Sequence, residues 1–109
     1  MSKIVFTGDY IWNDMFGHYF DEVHPYPSFN VRDLDTLDEK VREDLLRTTK
    51  SGNFTFLLGH VIGVDHAGHT YSASHKEIER KLKDTEKMIE EIIAQMDKDT
   101  VLQIGRAHV

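Results

Sequence analysis

Apolar residues group along the chain into short segments of distinct periodicity. "KIVFTGDY" opens on β-branched and aromatic residues and stops at Gly8-Asp9, so residues 3–7 read as a short buried strand running into a loop. "HPYPSFN" holds both prolines. Each ring fixes φ, removes a backbone donor and pushes the preceding residue to extended geometry, so this stretch reads as a loop of defined shape. Over residues 35–50, Leu37, Val41 and Leu45 recur with charges between them, and Ser51-Gly52 follows; the spacing predicts an amphipathic helix with one packing face. "FTFLLGHVIG" is a continuous apolar run that suits a strand covered on both faces of a parallel sheet, with Gly59 and Gly63 marking its end. Over residues 74–97, Ile78, Leu82, Ile89, Ile92, Ile93 and Met96 share one stripe, which predicts a long amphipathic helix. "TVLQI" reads as a further strand. The order strand, helix, strand, helix, strand predicts an α/β fold, a parallel sheet flanked by helices with right-handed crossovers.

Composition narrows what such a fold can do. A chain of 109 residues with 39% hydrophobic residues makes one small domain or part of one. Its net charge is −6 and its thirteen Lys and Arg are scattered, which disfavours a nucleic-acid partner. No apolar run reaches the roughly 18 residues of a membrane span, and the start lacks a basic region followed by an apolar one, so the chain as it stands is expected to be soluble. With no cysteine there are no disulfides, thiolate metal sites or cysteine nucleophiles, and any metal must be held by His and carboxylate.

The chemistry-bearing residues crowd into "LLGHVIGVDHAGHT", residues 57–70. In open α/β sheets, sites lie beyond the carboxyl ends of the strands, and this segment follows such an end. Asp65 and His69 are four apart, so on a helix both reach one ion. A carboxylate oxygen and an imidazole nitrogen are ordinary zinc ligands, but a catalytic zinc takes three protein ligands and an open position, so a third must come from elsewhere. Gly63 and Gly68 fit a sharp turn with close backbone approach. On spacing alone a second reading stands beside this one, in which Asp65 caps a helix and His69 faces solvent. His66, next to Asp65, projects elsewhere on a helix and is assigned to hold the ligands from behind or to face solvent. His60 lines the pocket or ends the strand. His18, His24 and His75 read as surface residues.

The blocks "FTGDYIW", "HPYPSFNVRDLDTLD" and "SGNFTFLLGHVIGVDHAGHT" and the helix after them resemble, in that order, the lumenal catalytic domain of the GPI ethanolamine phosphate transferases, over about residues 3–102. That family belongs to the alkaline phosphatase superfamily, so the resemblance implies a fragment of an alkaline-phosphatase-like domain with two zinc ions and a Thr or Ser nucleophile. The motif G-x-D-x-x-G-H is matched by Gly63, Asp65, Gly68 and His69, which implies Asp65 and His69 as ligands of one zinc. The family's nucleophilic Thr and first metal-binding Asp lie upstream of the matched segment, so no catalytic residue is assigned within this chain. Its Asp-His-Gly-Met block should follow "TVL", where this chain has "QIGRAHV". One reading frame of a common sequencing adapter encodes "IGRAHV", so residues 1–103 are expected to be partial lumenal domain and 104–109 a foreign tail; His108 is not taken as a ligand. Tyr10 and Ile11 stand where relatives usually carry Asp-Thr.

The activity implied is transfer of phosphoethanolamine from phosphatidylethanolamine to a mannose of the GPI glycolipid precursor through a phosphorylated Thr. It implies the endoplasmic reticulum membrane, with this segment lumenal, membrane attachment through segments outside this chain, and leaves a partner subunit open. "NFT" at Asn53 is a formal glycosylation acceptor. Two rivals are a zinc phosphodiesterase, pyrophosphatase or sulfatase of the same superfamily with water as acceptor, and a non-catalytic metal-binding or interaction fragment; the 109 residues alone are expected to be inactive.

Overall fold

A computed structural model of the chain describes residues 2–28, 33–70 and 75–105, with the backbone alone at positions 69 and 70. Strand β1 (Ile4–Asp9) is the centre of a parallel three-stranded sheet, flanked by β2 (Glu22–Tyr26) and β3 (Phe56–Gly59) in the order β2-β1-β3. Helix α1 (Tyr10–Phe16) and a 3₁₀ turn (Gly17–Tyr19) connect β1 to β2. Helix α2 (Thr36–Ser51) leads to β3, and α3 (Gly63–Thr70) and α4 (Lys76–Gln95) follow it. The expected parallel sheet flanked by helices is the architecture the chain adopts.

Side chains of β1 alternate between two helical layers. On one face Phe6, 0% exposed, stacks on Phe20 with centroids 5.0 Å apart and lies 6.4 Å from Trp12. On the other face Thr7 donates to Asp44 of α2 at 2.8 Å. There α2 and α4 bury Leu37, Val41, Leu45, Met88 and Ile92 as one apolar cluster, with Leu57 of β3 packed against it. The two helices are also tied by an Arg42–Glu91 ion pair.

Three expectations change. The proline segment is not all loop, because β2 runs through His24 and Pro25 and pairs Asp9 with Tyr26. Proline is tolerated there because β2 is an edge strand, where a missing N–H breaks no ladder on the open side. The run "FTFLLGHVIG" supplies only four strand residues and is not covered on both faces: β3 is the other edge, and Phe56 is 57% exposed. "TVLQI" forms no strand; Val101, Leu102 and Ile104 are exposed. β-Propensity describes a pleated surface with neighbours, and a run that meets no partner strand stays irregular. Phe29, Asn30 and Val31 of the proline block lie, like residues 106–109, outside the described residues.

Asp44 gives this scaffold a pH signature. Burial pushes its carboxyl up, but hydrogen bonds from Tyr26, Thr7 and Arg47 outweigh that and hold it below the ordinary carboxylate range. Burial, and then the Asp44 carboxylate it faces, push the Tyr26 phenol up to about 12. A depressed carboxyl contributes stability above its unfolded pKa of about 3.9, lost as pH falls through the folded value; a raised phenol contributes below about 10, lost as pH rises towards about 12. Urea midpoints should therefore fall at both extremes. In Asp44→Asn the acid limb should flatten, and an unchanged limb would mean that Asp44 is not the group titrating.

Candidate functional site

All three strands are parallel, so Asp9, Tyr26 and Gly59 end on one edge of the sheet. Asp9 is buried there and accepts from the Ile11 N–H at 3.1 Å, capping α1. His60 follows β3 and donates its backbone N–H to the Thr7 carbonyl at 2.9 Å. Its ring packs on Trp12, centroids 5.3 Å apart. Gly8 makes this approach feasible: its φ of 153° favours glycine, and a Cβ would come within 2.7 Å of the His60 carbonyl oxygen.

His60 Nδ1 is buried and, among the described residues, meets no hydrogen-bond partner. Burial pushes the imidazole below its ordinary pKa, against the pull of Asp9, Asp38 and Asp65. A lowered pKa keeps the ring neutral at neutral pH, as an imidazole must be to coordinate a metal or accept a proton. A buried polar atom without a partner is uncommon enough to mark a place where a water, ion or substrate group belongs.

The histidine-rich turn is helical. Asp65 is in the first turn of α3 and exposed; His69 is in its last turn by backbone, and its side chain lies outside the described residues. Their four-residue spacing puts the two positions on one helical face. His66 turns the other way: it is 4% exposed, its Nδ1 lies 3.3 Å from the Asp33 carbonyl oxygen, and it lines a pocket with Tyr26, Ser28 and Lys40. The amides that open α3 meet Asp38 of α2: the Ile62 N–H donates to it at 2.8 Å and the Gly63 N–H at 3.1 Å. Among the described residues no three His, Asp or Glu side chains gather to hold a metal ion. Asp65 and His69 are of residue types that donate to zinc, and two such donors are fewer than a zinc site takes.

The remaining histidines have local roles. His24 pairs with Glu22 at 2.8 Å, and that bond, then Lys3, hold the Glu22 carboxyl below its ordinary range. His75 accepts the Glu77 N–H through Nδ1 at 3.1 Å and so caps α4. His18 is exposed against Tyr19. Asp9 and Asp38 escaped the reading of the sequence. For Asp38 a signal existed, because it adjoins Leu37 on the stripe that carries Val41 and Leu45, and a carboxylate on a packing stripe needs donors.

Residues 3–104 match the family model described as type I phosphodiesterase / nucleotide pyrophosphatase. Over 97% of its length the chain is 39% identical to "GPI ethanolamine phosphate transferase 3, catalytic subunit" of Homo sapiens and 37% identical to that of Mus musculus. Over 98% it is 38% identical to GPI ethanolamine phosphate transferase 3 of Eremothecium gossypii. The chain spans 10% of each mammalian relative and 11% of the fungal one. No solved structure matches it.

Proposed function

The chain belongs to the type I phosphodiesterase / nucleotide pyrophosphatase family, and from that premise we propose that it is a catalytic-domain segment of a zinc-dependent transferase moving phosphoethanolamine from phosphatidylethanolamine to a mannose of the GPI precursor. The observation that carries the reading is that Gly63, Asp65, Gly68 and His69 of the G-x-D-x-x-G-H motif all lie within α3, beyond the carboxyl edge of a parallel sheet. Relatives named as GPI ethanolamine phosphate transferases support the substrate class.

Asp65 and His69 would hold one of two zinc ions. Zinc at such a site lowers the pKa of a hydroxyl and offsets charge on a transferring phosphoryl group. For the chain's own residues, α3 sets the spacing of the two donors, and Trp12 and Gly8 fix His60 beside the same edge as a neutral ring able to accept or pass a proton. The nucleophilic Thr and the other ligands would come from the rest of the enzyme.

The family's description names phosphodiesterases and pyrophosphatases, and this favours one rival, the same zinc chemistry with water as acceptor. Purified full-length enzyme given phosphatidylethanolamine with a mannosylated GPI glycolipid, and separately with water alone, decides between them. Phosphoethanolamine on mannose is expected; free phosphoethanolamine with or without glycolipid would overturn the transferase reading.

The proposal also puts this segment in the lumen of the endoplasmic reticulum. Asn53 is exposed in the turn before β3, rather than hidden by the strand. In intact microsomes the segment should resist added protease, and Asn53→Gln should abolish any glycosidase-sensitive mass shift. Cleavage from the cytosolic side would sink the topology.

A further inference from the structure

Three helices converge on one carboxylate. Asp38 of α2 is 9% exposed and Lys81 of α4 only 3% exposed, and the Lys81 ammonium lies 3.1 Å from Asp38 Oδ2 and 3.2 Å from Asp35 Oδ1. Asp38 Oδ1 accepts the Ile62 N–H at 2.8 Å, and both its oxygens accept the Gly63 N–H at 3.1 Å. Gly63 is the residue this crossing requires, because a Cβ there would overlap Asp38 Oδ2, Lys81 Cε and the Leu34 carbonyl oxygen.

Energetics make this more than packing. Burying an ammonium and a carboxylate carries a desolvation cost that their attraction seldom exceeds, and apolar residues of like volume would serve cohesion as well or better. What the ionised pair adds is direction. A carboxylate satisfies two amides at one defined point, the positive end of a helix favours negative charge there, and Lys81 holds the carboxylate's aim. Asp65 stands two residues beyond Gly63, so the capped point and the ligand share one helical turn.

We propose that Asp38, clamped by Lys81, is the positioning residue of the metal-binding helix, fixing the start of α3 and thereby where Asp65 presents its carboxylate. The inference rests on Asp65 serving as a metal ligand. Asp38 itself touches neither metal nor substrate; it acts through the Ile62 and Gly63 amides. Outer partners of metal ligands change affinity by about 10- to 100-fold, and loss of a helix cap is worth about 2- to 30-fold in local opening.

The test uses the full-length protein bearing Asp38→Ala, Asp38→Asn or Lys81→Met. Two readouts are made: hydrogen exchange in peptides covering residues 61–68 and 4–9, and zinc affinity by chelator competition. Asp38→Ala should speed exchange at 61–68 about 2- to 30-fold, leave 4–9 unchanged, and weaken zinc about 10- to 100-fold. Asp38→Asn, which keeps one acceptor oxygen, should recover part of both losses, and Lys81→Met should fall between. Unchanged exchange at 61–68, equal acceleration in both peptides, or loosened exchange with parental zinc affinity would each overturn the proposal. An Asp65→Ala control separates the two readings. If it leaves zinc affinity intact, the metal assignment fails, and the exchange pattern alone decides the clamp.

Discussion

Replacing Asp65 by Ala in the full-length enzyme is expected to lower phosphoethanolamine transfer by at least about 100-fold with little change in expression. The magnitude follows from position: partners one step removed from a metal already cost about 10- to 100-fold, so a residue bonded to it costs at least the upper end. The selectivity follows from exposure. Asp65 lies at the surface in the first turn of α3, outside the apolar cluster, and surface substitutions usually change stability by no more than about 0.5 kcal/mol. Transfer to a mannosylated lipid, normalised to enzyme mass, is the measurement. Activity within a few-fold of the parent would remove Asp65 from the site.

Phe6→Ala should act in the opposite manner, destroying the scaffold without touching the chemistry. Phe6 is fully buried on the central strand, stacked on Phe20 and near Trp12, which in turn packs on His60. Truncating a buried Phe costs about 3–5 kcal/mol, most of the stability that a small domain possesses. Urea denaturation should show the midpoint collapse, with exchange accelerated through β1 and β3 together. Phe56→Ala, at an exposed position on the edge strand, should shift the midpoint only slightly. Comparable losses in both would mean that β1 is not the organising strand.

How legible the fold was depended on how local each signal is. The first strand and helices α2 and α4 follow from residues a few positions apart; Leu37, Val41, Leu45 and Ile92 reach the core as their spacing requires, whereas Leu82 and Ile93 of the α4 stripe stay exposed and Met88 is buried instead. β2 did not follow, because Glu22 to Tyr26 lacks apolar alternation and contains Pro25; its pairing with β1 is a long-range fact that no local pattern encodes. The same reason explains "TVLQI", which is β-prone by composition but pairs with no strand among the described residues. At the site, the spacing of Asp65 and His69 was readable once residues 63–70 proved helical. The division of labour around them was not. Asp38 lies 25 residues before Gly63 in the chain, so its hold on the Ile62 and Gly63 amides is a long-range contact that no local spacing encodes. His66, adjacent to Asp65, is buried toward Asp33 instead of facing solvent, because one step along a helix turns a side chain by about 100°.

Zinc content is the measurement closest to the assignment of Asp65 and His69 as metal ligands. Full-length enzyme and its Asp65→Ala, His69→Ala double variant would be purified alike, dialysed against a weak chelator, and compared for zinc per polypeptide. The parent should retain about two zinc ions and the variant should lose at least one, while the 109-residue chain alone should retain none in stoichiometric amount. Equal zinc in parent and variant would contradict that assignment.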